Sequence, residues 1–494
     1  MAVLTAALAT AAAVAALPAN ADAPAFQQSA TVKGGQLEFS FTPTQAAGYV
    51  DVHFVPKGGI EQDLRMDQGN GLAWQKDVPA PPAGTPVSYW FTHDYGPGSH
   101  YDTRHVSLGG GTPPSGTGTF PAVFQNNTHG KYTDDQIYLT VLGQQTPGKW
   151  SYLTPDGTVK PIDHTEAAQP GHLTKNGESY PDMSFSLAQA KDRSLTMPEH
   201  LEGGRIYISL GSPMYLGVAP DDSGWAGPDL HSATDPNADV IFDWYEFTYQ
   251  YGKIAFGGNT TQVDMFGFPL NARLQQDSSH YDQTSGINMS RDQVFSQYLS
   301  SVGPAFKGLE NPYRIVAPRS SSDFGAQGPD AGYLSKVIDQ VWNEYHQKQF
   351  TLTRANQTFT GRVERDNKLH FTKDGAGEPG DNGDFVLSEP TSQDVLSCSG
   401  ALASPGMDTT ELELGAEFCA AFNRGVASDT SKWYDATKYY GTSAPSNDYS
   451  AFFHTIGIDE HTYGFPYDDV NQQSSVKILP NTDPPSRLTI GIGW

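Results

Sequence analysis

The sequence predicts a mostly β protein, with an N-terminal β-sandwich module, a linker and a larger β domain. Three observations carry this. The chain of 494 residues holds 51 Gly and 35 Pro, which cut it into short segments. Aromatics make up 12% of it and stand among β-branched residues in alternating runs, the pattern of half-buried strands. Long charged or Ala/Leu-rich runs are scarce after the first 20 residues. The length allows two or three domains with full cores.

Taken in order, Ala2 to Leu17 is an apolar run too short to span a membrane, and Ala19-Asn20-Ala21 offers a small-x-small cleavage site. Residues 1–21 are therefore expected to be a signal peptide and the protein to be secreted and extracellular, although no Lys or Arg precedes the apolar core. Residues 22–108 alternate well at Leu37–Phe41, Tyr49–Phe54 and Val87–Phe91, with Gly58-Gly59 between, and predict a β-sandwich. Its Trp74, Tyr89, Trp90, Tyr95 and Tyr101 suit capture of sugar rings, with about half expected in the core instead. Residues 109–119, GGGTPPSGTGT, read as a linker with nothing to anchor a core.

In the second domain, 120–494, Arg205–Leu210 is a clear strand. Ala331–Gln347 is the one long helix expected, with Leu334, Val337, Ile338, Val341, Trp342 and Tyr345 at helical spacing. A shorter helix over Arg291–Ser300 is signalled by Ser290 as N-cap and Gln293 completing a capping box. Cys398 and Cys419 are the only cysteines; an oxidising compartment would pair them, and two free buried thiols are the alternative. Asn-x-Ser/Thr sequons stand at Asn126, Asn259, Asn288 and Asn356.

Ile241–Leu270 carries two acids, Glu246 and Asp264, in aromatic strands. Side chains alternate along a strand, so Phe242, Trp244, Glu246 and Thr248 share a face. A turn at Tyr249–Gly252 and a two-residue hairpin turn at Gly258-Asn259 would put Glu246 opposite Ala255, Ala255 opposite Gln262, and Asp264 on the same face. The Cα atoms would then lie roughly 12 Å apart, and inward-leaning carboxyls would approach the ~6.5–9.5 Å of an inverting glycosidase. Two partly buried acids bonded to backbone or arginine satisfy the same count, so counting leaves both readings open. On the catalytic reading, Glu246 among Trp244, Tyr245 and Phe247 is the general acid and Asp264 the general base. Thr248 and Gln262 would bond sugar hydroxyls or serve as passive strand residues. Asn259 falls in this expected hairpin turn, where a glycan could be tolerated.

The formal charge of −25 argues against nucleic acid or anionic membrane partners. No metal or cofactor is expected. Gly143–Lys149 lacks the hydroxyl a phosphate loop needs, no G-x-S-x-G elbow is present, His93, His100 and His105 have no metal-site spacing, and Asp381–Asp384 reads as a turn.

RIYISLGSPMYL (205–216), GPDLHSATDPNADVIFDWYEFT (227–248), VDMFGFPL (263–270) and YGFPYDDV (463–470) stand in the order found in glycoside hydrolase family 64, and residues 120–494 resemble those endo-β-1,3-glucanases. The resemblance implies an inverting endo-hydrolase with a cleft between a thaumatin-like β-barrel and a smaller α/β region, releasing short oligosaccharides. It carries the catalytic Glu onto Glu246 and the catalytic Asp onto Asp264. It brings Asp468 and Asp469 toward the cleft as sugar ligands, with a turn role as the alternative; Trp225 is a stacking candidate. YVDVHF, LRM, Trp74 and VSYWFTHDY resemble carbohydrate-binding module family 56, which implies β-1,3-glucan as partner. A monomer is expected. The other reading is a non-catalytic, thaumatin-like glucan-binding protein, against which two cysteines count, since that family is disulfide-rich.

Overall fold

The computed structural model describes residues 26–494 apart from 34, 44–45, 57–61, 70, 83–84, 86, 97–98, 104–105, 109–116, 355–356 and 375–383, and describes only the backbone of 27, 94–96, 99–102 and 106–107. The expected signal peptide, most of the expected linker and the Asn356 sequon lie outside the described residues.

Alternation builds the N-terminal module. One sheet orders Phe26–Lys33, Gln36–Pro43, Trp74–Pro79 and Asp67–Gln68; the other orders Gln62–Arg65, Val50–Pro56, Val87–Gly96 and Ser99–Asp102, with Val106–Leu108 paired to Val87–Gly96. The inward set Leu37, Phe39, Phe41, Val50, Val52, Phe54 and Phe91 forms one core, giving the sandwich the pattern predicts.

The second domain packs two sheets face to face. The first orders Ser194–Met197, Phe120–Asn127, Arg487–Gly493, Leu270–Gln276 and Tyr281–Gly286; the second runs from Val159–Pro161 through Lys149–Leu153, Ile137–Thr146, His200–Leu210, Ile241–Gln250 and Ile254–Thr260 to Lys477–Ile478. Phe120–Asn127 and Arg487–Gly493 pair in parallel, so the two ends of the domain close one sheet. Ile206, Ile208, Leu210, Tyr245 and Phe247 face the shared core, together with Phe124, Leu274 and Ile490 from the other sheet. By alternation, Arg205, Tyr207, Trp244 and Glu246 face outward. Tyr207, Phe242 and Trp244 join Leu142, Tyr152 and Met265 in a second apolar layer on that outer face. A third core gathers the helices Arg291–Ser301, Ser335–Gln347, Thr409–Asn423 and Asp448–Ile456 with a four-stranded antiparallel sheet over Phe350–Ser388.

The expected hairpin between the two acids is corrected. Gly258-Asn259 is no turn: Ile254–Thr260 runs straight through it, pairing Glu246 with Asn259 and Phe247 with Gly258. Gly258 is glycine because a Cβ there would lie 2.4 Å from the Tyr245 hydroxyl, a close approach of the kind that places glycine within a strand. A bulge between Thr248 and Gln250 shifts the register, so Ala255 is not opposite Glu246. Beyond Thr260 the chain leaves the sheet, and Met265–Phe266 pairs with Ile315–Val316.

The long helix begins at Ser335 rather than Ala331, and all six stripe residues are buried. A longer helix, Thr409–Asn423, is present where none was expected, with Asp408 and Glu411 forming its capping box. The Arg291 helix starts where its Ser290–Gln293 box predicts. Cys398 and Cys419 form a disulfide that ties the end of helix Ser392–Ser397 to that longer helix. At the described end of the expected linker, the Tyr249 hydroxyl donates to Gly118 O at 3.0 Å.

Two sequons are occupied by the fold itself. Asn259 is buried, and the Asn126 side chain donates to Tyr132 O and Asp134 Oδ1, whereas Asn288 is exposed. The surface hollow of about 520 Å³ lined by Asn126, Tyr132, Asp134 and Arg193 includes neither Glu246 nor Asp264.

Candidate active site

Glu246 stands on the outer face of Ile241–Gln250 opposite Arg205. Its Oε1 accepts the Trp244 indole N–H at 2.9 Å and lies 3.2 Å from Arg205 Nε. The expected aromatic enclosure is thereby corrected: Tyr245 and Phe247 point into the core on the opposite face, and Trp244 presents a polar edge to the carboxylate. The Arg205 guanidinium also donates to the Tyr207 hydroxyl at 3.2 Å. Burial alone would lower its pKa; the Tyr207 hydroxyl and Glu246 more than offset this and hold it up, with Asp264 contributing. Tyr207, fully buried and raised by that burial, likewise feels the charges of both acids. Glu246 pairs with Arg205 directly and Asp264 is near enough to add its charge to the same Arg–Tyr pair, although the hairpin route between the two acids is not the counted one.

Asp264 sits in the crossing segment before Met265–Phe266. Its backbone O accepts Ala317 N–H at 2.9 Å, Ser320 Oγ donates to Oδ1 at 3.4 Å, and Arg319 Nη1 lies 3.6 Å from that oxygen. Both side chains keep partial exposure, 19% for Glu246 and 25% for Asp264, which leaves room for a substrate to reach them.

Beneath them lies Asp243, buried, with its Oδ1 accepting Trp244 N–H at 2.8 Å and Oδ2 accepting Gly267 N–H at 2.9 Å. Burial pushes its carboxyl up to about 7 against these backbone donors. The bond clamps the Asp264 segment to the Glu246 strand, and Gly267 is required there because a Cβ would lie 1.9 Å from Phe242 O.

The remaining expected site residues divide. Trp225 is partly buried on the outer face, its ring 5.9 Å from the Arg205 guanidinium. Thr248 accepts Gly203 N–H at 3.2 Å, and Gln262 is buried, its Oε1 accepting from Thr462 and its backbone O from Tyr449, so Gln262 ties the crossing segment to the C-terminal part. Asp468 is corrected as a sugar ligand: it is fully buried, paired with Arg424 at 3.1 Å and His454 at 2.9 Å, and accepts Gly464 N–H. Burial would raise its carboxyl, but the charges of His454 and Arg424 outweigh this and hold it below the usual range. Asp469 is exposed on one side and crowded by protein on the others, which pushes its carboxyl up; it stays available at the surface near Tyr463, whose hydroxyl feels both Asp469 and Glu246.

In the module, Trp74 and Tyr89 are corrected as ligand faces because both lie in the core. Trp90, one residue on, faces the other way and stacks on His53 at 5.0 Å. His53 is held by Asp63 and Thr92. The side chain of Tyr101 lies outside the described residues. Among the described residues, Asp163, His164 and Asp222 stand within metal-ligating reach of one another, and the group includes neither catalytic candidate.

Arg205, Asp243, Arg319 and Tyr463 are not among the site residues expected from the sequence. Arg205 alone carried a local signal: it lies two residues before Tyr207 in a strand whose phase the apolar Ile206 and Ile208 already fix.

Comparison with known proteins places this geometry. The profile of the glycoside hydrolase family 64 β-1,3-glucanases matches residues 118–492, and that of carbohydrate-binding module family 56 matches residues 27–103. A β-1,3-glucanase domain from Clostridium beijerinckii is 31% identical, with a TM-score of 0.69 over 78% of this chain and 100% of that one. The laminaripentaose-producing β-1,3-glucanase of Paenibacillus barengoltzii, solved with laminarihexaose, is 30% identical with a TM-score of 0.59 over 95% of this chain and 100% of that one. A glucan endo-1,3-beta-glucosidase of an Arthrobacter species is 25% identical over 282 residues, 55% of this chain and 49% of that protein. The match therefore spans about half the length of that relative.

Proposed function

The chain belongs to glycoside hydrolase family 64, and on that premise we propose that it is an endo-β-1,3-glucanase that cuts β-1,3-glucan with inversion. The observation that carries the reading is a pair of partly exposed carboxyls beside an aromatic-lined face, Glu246 held by Arg205 and Trp244 and Asp264 held by Arg319 and Ser320, both of which act on the charge of Arg205. Glu246, in its protonated form, gives its proton to the glycosidic oxygen as the bond to the anomeric carbon breaks. Asp264 takes a proton from a water that attacks that carbon from the opposite side, so the freed sugar carries the inverted anomeric hydroxyl and short oligosaccharides are released. Arg205 and the Trp244 indole hold the Glu246 carboxyl in place, and Ser320 with Arg319 orient Asp264. Asp469, exposed beside Tyr463, is the C-terminal residue suited to a sugar hydroxyl.

The module supplies the second contact with the polysaccharide through its outward Trp90 face. The disulfide supports action in an oxidising compartment outside the cell.

Glu246→Gln and Asp264→Asn should each abolish release of reducing ends from laminarin, a loss of at least 10³-fold, while retention on insoluble β-1,3-glucan persists. Proton NMR of the fresh product should show the α-anomer first. Near-normal turnover in either variant removes that residue from the mechanism, and an inactive wild type that still binds glucan would favour a non-catalytic glucan-binding protein.

A further inference from the structure

Aromatic rings lead away from Glu246 in an unbroken row. Trp244, whose indole holds the Glu246 carboxylate, stands 5.6 Å from the Tyr207 ring; Tyr207 stands 5.8 Å from Trp225, and Trp225 stands 5.7 Å from Trp150. The first two rings are buried at 4% and 2% exposure, while Trp225 and Trp150 are only partly buried, so the row emerges at the surface at its far end.

The register measures its reach. Glu246 pairs with Arg205, Arg205 with Leu142, and Gln144, one side-chain repeat along from Leu142, with Trp150. Trp150 is thus three strands across and one repeat along from Glu246, roughly 16 Å between Cα atoms. Several linked glucose units are needed to cover that distance.

Trp150 also shares the face of Glu246, since Tyr152, its neighbour in alternation, belongs to the outer apolar layer. Trp225 comes from a separate hairpin, Gly217–Val218 paired with Trp225–Ala226, which lays it edge-on to Trp150 at an interplanar angle of 84°. Two perpendicular, partly buried indoles make a corner with an apolar floor and an apolar wall. A pyranose presents apolar C–H faces that fit such a corner, and neither ring carries a charge that a neutral glucan would have to desolvate. Arg205, packed against Trp225 and paired with Glu246, joins this corner to the reacting acid.

We propose that Trp150 and Trp225 form a remote glucan subsite that binds a glucose unit several residues from the bond cleaved and so determines which chain lengths are cut well. The proposal rests on the β-1,3-glucanase reading of Glu246 and Asp264 and extends it to the far end of the same face.

The full chain and its Trp150→Ala, Trp225→Ala and Trp150→Phe variants are compared on laminarihexaose and on laminarin, with products resolved by length. Both Ala variants should raise KM for the hexaose roughly tenfold with a smaller change in kcat, and should shift laminarin products to a different length; the Phe variant should recover part of the loss. A parallel titration compares laminarihexaose binding to Glu246→Gln with and without Trp150→Ala. The module contributes equally to both, so the difference reports the subsite even if no turnover is seen. Unchanged KM, binding and product lengths overturn the subsite. So does a fall in kcat with KM and product lengths unchanged, since that is the mark of a merely structural ring. An inactive wild type whose hexaose affinity still falls with Trp150→Ala would fail the hydrolase reading alone.

Discussion

At the scale of single residues, the decisive distinction is between acids that can meet a substrate and acids that the fold consumes. Asp468 and Asp469 are adjacent in sequence, yet one is fully buried between Arg424 and His454 and the other is exposed. Removing the Asp468 charge would leave the buried Arg424 guanidinium without its counter-charge, so Asp468→Asn should destabilise the protein by about 3–5 kcal/mol in urea unfolding. The pH dependence follows from the two shifts. The Asp468 pKa is lowered in the fold, so its contribution is present above the unfolded value of about 3.9 and lost as pH falls through the folded one. Burial pulls the His454 imidazole down, but the Asp468 carboxylate beside it prevails and raises it, so its contribution is complete below about 6.5 and lost as pH rises through the folded value. The stability gap between wild type and Asp468→Asn should therefore be widest at about pH 4–6.5 and narrow on both sides. A gap independent of pH would mean that the triad is held by packing rather than charge.

At the scale of elements, the disulfide and the strand register show how far local pattern reaches. Cys398 and Cys419 are 21 residues apart and close a loop that includes the start of helix Thr409–Asn423. In the chain-entropy view such a loop contributes roughly 3 kcal/mol, so the paired replacement Cys398→Ala/Cys419→Ala should lower unfolding free energy by about that amount, with little effect on KM if the site is folded. That helix was illegible because it is apolar nearly all round: Leu414, Phe418, Cys419, Ala421 and Phe422 are all buried, so no single stripe marks it, although Asp408-Thr-Thr-Glu411 did spell its start. The Ser335–Gln347 helix was legible for the opposite reason, one apolar face and one polar. Alternation correctly grouped Glu246 with Phe242 and Trp244 on one face. It could not locate Asp264, because Gly258-Asn259 has the composition of a turn and the geometry of a close strand approach, a choice that only the Tyr245 ring beneath it makes. The partners of the two acids, Arg205 and Arg319, arrive from segments 41 residues before Glu246 and 55 after Asp264, so no local pattern around either acid points to its partner.

At the scale of the whole molecule, the proposed function puts two glucan-directed surfaces on one strongly acidic chain. The formal charge of −25 would make adsorption sensitive to salt if the partner were charged, whereas stacking on Trp90 and on the outer face of the hydrolase domain depends on apolar contact. Retention on insoluble β-1,3-glucan should therefore change less than about twofold between 20 mM and 500 mM NaCl, which a pull-down at fixed glucan would measure. The module should matter most when substrate is a solid, since linking two binding surfaces raises the effective concentration of the second once the first is engaged. Deleting residues 22–108 should reduce hydrolysis of insoluble glucan roughly tenfold or more while leaving kcat/KM on soluble laminarihexaose within about twofold. Trp90→Ala in the full chain should reproduce most of that loss if the outward indole stacked on His53 is the module's contact, and Trp74→Ala should instead unfold the sandwich, because that ring is 5% exposed in its core. Equal losses on soluble and insoluble substrates would show that the module supports the fold of the hydrolase domain, and would leave adsorption to the outer face alone.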